Sequence, residues 1–435
     1  MKSKLGRGLP SPAGRSESAA LSDTAGTVLG AAVMRLLQAR PPGDTASGVY
    51  PLREPHAAFA ARMLLVREAE CSLDLQYYIW HGDLTGTLLF KALHEAAERG
   101  VRVRLLLDDH NTQGLDPALS SLDLHPHIEV RLFNPYTLRK LRWLNGLIDF
   151  TRLNHRMHNK SFTIDNQATI VGGRNIGDEY FGAGDALLFN DLDVLAVGPV
   201  ARAVSADFDR YWNCASAVPV ARLLSPATPA QLADLLARAA DVETSPRAAA
   251  YVQAVRESEF VDELRQGTID LQWVPTELIS DDPAKALGQA QPDTMFPARL
   301  VAALGRPQHE LDLVSAYFVP GKQGVADLAG LARDGVAIRV LTNALESTDV
   351  AVVHAGYAKR RRALLRAGIA LYELQRQAAP PRRNRSVAAE GIAGKPKKHL
   401  GGSGVGGSSA ASLHAKTFAV DRDRIFVGSF NFDPR

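Results

Sequence analysis

The sequence predicts an α/β protein of two pseudo-symmetric halves, each a mostly parallel mixed sheet covered by helices, with the functional residues gathered where the halves meet. Three observations carry this expectation. A strand, helix, strand order occurs twice, a short polar motif occurs twice with the same internal spacing, and the composition suits two ordinary globular domains. The chain has 435 residues, 46% hydrophobic and 22% charged, which excludes a disordered chain, a disulfide scaffold and a coiled coil.

The elements follow in chain order. Residues 1–47 read as a partly irregular N-terminal segment in which Lys2, Lys4 and Arg7 lead into punctuated polar sequence without the apolar core of a signal peptide. The apolar run 25–37 is interrupted by glycines and Arg35 and is shorter than the roughly 20 residues that span a bilayer, so a packed helix is expected there. The first half is placed at 48–216, with a buried strand at 72–80, an amphipathic helix at 85–99 and a second strand at 100–108. An Ala-, Leu- and Arg-rich helical connector fills 217–290. In the second half, 291–435, the same order returns as a strand at 310–319, a helix at 322–334 and a strand at 335–342. A glycine closes each helix directly before a β-branched strand, the pattern of parallel βαβ units. Within this half, 376–411 reads as a basic Gly/Pro-rich linker, and its glycines lack the Gly-Lys-Ser/Thr ending of a phosphate-binding loop.

Charge and cysteine content narrow the function classes. Lys plus Arg (50) nearly balance Asp plus Glu (47), so no polyanionic partner follows from the total of +3. Cys71 and Cys214 lack metal-ligand spacing and read as reduced thiols.

The chemistry lies in the repeated motif. His158, Lys160 and Asp165 are followed after six residues by Gly172, Gly173 and Asn175; His414, Lys416 and Asp421 are followed after six by Gly428, Ser429 and Asn431. Strand alternation around each lysine puts the histidine and lysine on one face, so they point into one space. Two such halves bring two imidazoles, two ammonium groups and two amides around one phosphoryl group, where the lysines and amides neutralise its oxygens without a metal. One imidazole can attack phosphorus while the other protonates the leaving oxygen. No cofactor is expected.

This duplicated His-x-Lys-x4-Asp pattern with its trailing Gly and Asn resembles the signature of the phospholipase D superfamily. Gln76 to Trp80, Gly172 to Phe181, Phe208 to Asn213, Asp281 to Lys285, His354 to Tyr357 and Gly428 to Arg435 are similar to strings of bacterial cardiolipin synthases of the C type. The resemblance implies two phospholipase D-like domains and a phosphatidyltransferase that makes cardiolipin through a phosphohistidine. It further implies His158 as nucleophile, His414 as general acid and base, and Lys160, Lys416, Asn175, Asn431 and Ser429 as phosphate ligands. Asp165 and Asp421 become structural motif members, and Glu179 the carboxylate that orients the imidazole of the opposite half. Partners implied are phospholipids, with phosphatidylglycerol first and phosphatidylethanolamine as a further candidate, at the surface of a bacterial inner membrane. Arg139, Lys140, Arg142 and Trp143 are the expected membrane contact, and no nucleic acid is expected. The alternatives are a hydrolytic phosphodiesterase acting on phospholipids, less favourably a nuclease, and an inactive lipid-binding product. The last arises because the chain stops at Arg435, directly after the second motif, where proteins of this kind continue; a truncated product would leave a sheet edge unpaired and His158 without its acidic partner. Asp108 with Asp109, and Asp281 with Asp282, are expected at turns and caps rather than on a metal.

Overall fold

The structure, a computed structural model of the chain, describes residues 15–137, 139, 150–182, 188–348, 350–375 and 411–432. The first half contributes β1 (Ser47–Leu52), β2 (Ser72–Ile79), β3 (Arg102–Asn111), β4 (Ile128–Phe133), β5 (Ser161–Ile164), β6 (Ala168–Gly172), β7 (Leu188–Asn190) and β8 (Asp193–Val197). Then come β9 (Ala217–Pro219) and β10 (Gln272–Val274), and in the second half β11 (Glu310–Ser315), β12 (Ala337–Asn343), β13 (Ala370–Leu374), β14 (Ala411–Leu413), β15 (Lys416–Val420) and β16 (Arg424–Val427).

Among these residues the first sheet has the order β10-β1-β8-β6-β5-β2-β3-β4-β9 and the second β13-β12-β11-β15-β16. The βαβ cores are parallel as expected, β2 with β3 and β4, and β11 with β12 and β13. The expectation of mostly parallel sheets needs correction, because every other pairing in the two sheets is antiparallel. For the motif strands the reason is local: β5 with β6 and β15 with β16 are joined as tight hairpins, and a parallel pair would need a long crossover. Both hairpins turn on two successive residues of positive φ, Asp165 (48°) with Asn166 (53°), and Asp421 (52°) with Arg422 (59°). That is the geometry that matches strand twist, and Asp and Asn tolerate it.

The repeat extends to register. Leu73 lies opposite Ile164 and Leu311 opposite Val420, so each motif strand meets the preceding central strand in the same way. Alternate residues of these strands fill two separate cores, with Leu73, Leu75, Phe162 and Ile164 in one and Leu311, Leu313, Phe418 and Val420 in the other. Each buried side chain of this size contributes about 1.5–3 kcal/mol.

The segment expected as a connector is built into the first half. Its β9 and β10 are the outer strands of the first sheet, and its helices Pro229–Thr244, Ala249–Glu257 and Phe260–Gln266 send Leu235, Tyr251, Val255 and Leu264 into the first core. The N-terminal helix Val28–Gln38, capped by Thr27, packs there through Leu29 and Val33. A two-stranded parallel pair, β7 with β14, joins the halves: Ala411, Ser412 and Leu413 lie opposite Leu188, Phe189 and Asn190. This pair delivers the second motif to the first.

Candidate active site

Because β5 runs antiparallel to β2, the residues leading into β5 lie at the carboxyl end of β2. There the Tyr78 ring stacks on His158 at 4.1 Å between centroids, and the Lys160 ammonium sits 5.4 Å from the same ring. Lys160 Nζ donates to the His158 carbonyl at 2.8 Å. In the second half the backbone N–H groups of His414 and Ala415 both donate to the Asn190 carbonyl, at 2.8 and 3.0 Å, which carries His414 across the interface. Its Nδ1 lies 2.5 Å from Asp191 Oδ2, and Lys416 Nζ lies 2.8 Å from Nδ1 and 3.1 Å from Nε2. Tyr180 and Phe189 flank the ring at 5.2 and 5.0 Å.

The residue before each histidine is held by the strand next door. Asp108 accepts from the Met157 N–H at 2.8 Å and pairs with Arg156; Asn343 accepts from the Leu413 N–H at 2.9 Å and donates to its carbonyl at 2.8 Å. The same task is done by a carboxylate with a cation in one half and by a single amide in the other.

The two histidines differ electrically. Burial, then Lys160, Lys416, His414 and Lys285, hold His158 well below its usual range, so it is a neutral imidazole at neutral pH. Burial and Lys416 also lower His414, but Asp191 opposes them. Burial followed by the charge of Lys416 brings Lys160 down to about 7. Burial raises Asp191, yet His414 and Lys416 outweigh it and hold the carboxyl at about 2. A site with this many cations and one facing carboxylate is short of negative charge, and an anionic phosphate placed among them restores the protons the lysine has lost.

Asp165 and Asp421 do not join the imidazoles. Asp165 accepts from the N–H groups of Glu70, Cys71 and Ser72, and Asp421 from those of Gln308, His309 and Glu310. Each ties its hairpin turn to the start of the central strand. Asn175, expected as a phosphate ligand, is instead buried, accepting from the Ile79 N–H at 3.1 Å and donating to the Tyr180 hydroxyl at 2.9 Å, so it braces the irregular end of β2 that carries Tyr78. Asn431 and Ser429 are half-buried, and Asn431 Oδ1 has no hydrogen-bond partner among the described residues.

Two further expectations change. Glu179 faces His81, with Oε1 3.1 Å from Nδ1, and the carboxylate on the opposite imidazole is Asp191. The reason is steric: a Cβ at Gly173 would lie 2.0 Å from Asp191 Oδ1, so the missing side chain at Gly173 admits the carboxylate. His81, Asp83 and Glu179 are the one group among the described residues whose ligand atoms cluster, within 4.8 Å, and Asp83 is already used to cap the helix Leu84–Glu98. Arg139 does not point to a lipid: it pairs with Asp109 at 2.5 Å and with Asp116. Lys140, Arg142 and Trp143 lie outside the described residues. Asp281 and Asp282 behave as turn and cap residues, with Asp282 capping Ala284 N and Asp281 taking Lys285 and the Phe296 N–H, whereas Asp108 and Asp109, expected at turns, lie buried in β3 and pair with Arg156 and Arg139. Tyr78, Lys285, Asn343 and Asp191 were not singled out in the sequence as site residues. For Asp191 the readable signal was the departure of Gly173 from Ser429.

Two duplicated sheets meeting at paired His-x-Lys motifs define a phospholipase D-type enzyme. The cardiolipin synthase, PLD-like domain family matches residues 64–212 and 300–435, and the chain belongs to that family as a phosphatidyltransferase of the phospholipase D superfamily. It is 50% identical over 388 residues to cardiolipin synthase C of Escherichia coli K12, covering 89% of this chain and 78% of the relative, and 33% identical over 400 residues to an uncharacterized protein of Helicobacter pylori 26695, covering 89% and 74%. The fold is similar to that of phosphatidylserine synthase from Haemophilus influenzae Rd KW20, with a TM-score of 0.53 at 11% identity, covering 92% of this chain and 83% of that one.

Proposed function

We propose that the chain joins two phospholipids into cardiolipin through a covalent phosphohistidine, working peripherally on the bacterial inner membrane. The observation that supports this most is the unequal setting of the two imidazoles. His158, neutral and ringed by cations, is the nucleophile; His414, with Nδ1 on Asp191, keeps Nε2 for moving protons. His158 attacks phosphorus, the bond to the leaving alcohol breaks, and His414 gives that oxygen its proton. The hydroxyl of a second lipid then loses its proton to His414 and attacks the phosphohistidine, forming the new ester and releasing His158. Lys160 and Lys416 hold the non-bridging oxygens throughout, with Asn431 and Ser429 at the same rim. Water in place of the second hydroxyl would give phosphatidic acid, so water must be kept out. No helix among the described residues is long and apolar enough to cross a membrane, which suits a peripheral enzyme.

The test uses phospholipid labelled in its phosphate. His158→Ala and His414→Ala each abolish turnover, and acid-labile label stays on the protein only in His414→Ala; the reverse pattern reassigns the nucleophile. Mass spectrometry after incubation with phosphatidylglycerol vesicles shows cardiolipin, whereas phosphatidic acid alone makes the protein a hydrolase. Chelators leave turnover unchanged, and a strict need for added divalent ion would overturn the lysine-based neutralisation.

A further inference from the structure

Three large apolar side chains stand out along one stretch of the second half: Leu345, Val352 and Leu365 are 59, 83 and 52% exposed. All lie between the end of β12 and β13, a stretch that includes the helix Ala351–Arg366. That helix holds no Asp or Glu, and it buries His354, Tyr357 and Leu364. Val352, Ala355, Lys359, Arg362 and Arg366, spaced by three and four residues, form one row along its outer side, and all five are exposed. Arg361 is taken by Glu373 at 2.8 Å, while Lys359, Arg362 and Arg366 make no ion pair among the described residues. Interaction with the helix dipole accounts for a cation in the last turn but not for three cations in line with the bare side chains of Val352 and Ala355.

We propose that this edge is a docking surface for an anionic lipid bilayer, a proposal that rests on the reading of phospholipid as substrate. The apolar side chains enter the interface while the three cations meet the anionic headgroups. The placement fits the site. Leu345 is two residues beyond Asn343, whose amide holds Leu413 immediately before His414, so a membrane on this edge borders the mouth. Arg139, by contrast, spends its charge on Asp109 and Asp116.

The test compares the full chain with the variants K359Q/R362Q/R366Q and L345S/V352S, by sedimentation with vesicles of phosphatidylglycerol and phosphatidylcholine. Neutralising the three cations weakens binding on the order of 100-fold and flattens its salt dependence. Removing the two apolar side chains weakens it about tenfold or more. Turnover of short-chain phosphatidylglycerol below its micelle concentration stays unchanged in both. Wild-type vesicle binding by both variants overturns the proposal, and so does an equal loss of monomeric turnover, because the edge would then act through the fold. Duplex DNA that displaces the vesicles and depends on the same three cations would overturn it too. If the unaltered chain turns over no phospholipid while vesicle binding still depends on this edge, the functional reading falls and the docking surface stands.

Discussion

After the paired glycines of the first motif comes Arg174, buried and donating to the carbonyls of Leu52, Arg53 and Asp191, with its backbone N–H on Asp193. At the same place in the second motif is Phe430, which stacks on Phe296 at 4.6 Å within a cluster that includes Phe432. One half therefore uses the position to fix a carboxylate that serves the other half's histidine, and the other half uses it for packing. The duplication repeats strands, turns and register but not the wiring. That asymmetry gives two chemically similar histidines different work, since only His414 receives a carboxylate among the described residues.

The largest effect is expected from making the halves alike. Gly173→Ser gives the first motif the residue of the second, and its side chain would collide with Asp191 Oδ1. Turnover should fall about 100-fold, as it should for Asp191→Asn. Asp191 raises the His414 pKa, so its loss moves the limb of the pH–rate profile that reports the protonated acid to lower pH. Label trapping on His158 should survive in both variants. Turnover within threefold of the parent would mean that the Asp191 contact does not orient the imidazole.

A second comparison concerns the residues that hold Met157 and Leu413. Removing the buried Asp108 strands the guanidinium of Arg156, which pairs with it at 2.6 Å and whose side chain is 8% exposed, so Asp108→Ala should cost about 3–5 kcal/mol. Asn343→Ala leaves two uncharged backbone groups without partners and should cost about 1–3 kcal/mol. Urea unfolding followed by circular dichroism checks both. Equal costs would mean that the buried ion pair adds nothing beyond its hydrogen bonds.

How far the sequence reveals this molecule follows the same line. Each motif strand could be read because its alternation and its Asp-containing turn are local and appear twice; parallel cores could be read because a helix ended by glycine precedes each strand. Asp191 could not be read this way: it has no second copy, and its partner is 223 residues away. The helices between the halves read as helices, but packing such as that of Tyr251 against Phe59, at 5.0 Å, shows that they lie on the first half's helix Pro55–Glu68 rather than link two bodies. Arg139 resembled a membrane contact because a basic stretch gives no hint of the distant Asp109 and Asp116 that neutralise it.

The smallest expected effect separates the two turn aspartates. Both accept three backbone N–H groups, yet burial raises the Asp165 pKa while the N–H groups of Glu310, Gln308 and His309 lower that of the less buried Asp421 to about 2. An unfolded aspartate titrates near about 3.9. The Asp421 carboxylate therefore contributes stability that is complete above that value and disappears as pH falls through about 2. For Asp165 the sign reverses: its contribution is largest below the unfolded value and shrinks as pH rises through the raised folded one. Subtracting the unfolding free energy of Asp421→Asn from that of the parent should give a difference that grows from pH 2 to pH 4, whereas the same subtraction for Asp165→Asn should give one that declines from about pH 4 upward. Slopes of the same sign would show that burial does not distinguish the two turns, and that the three donors alone set both carboxylates.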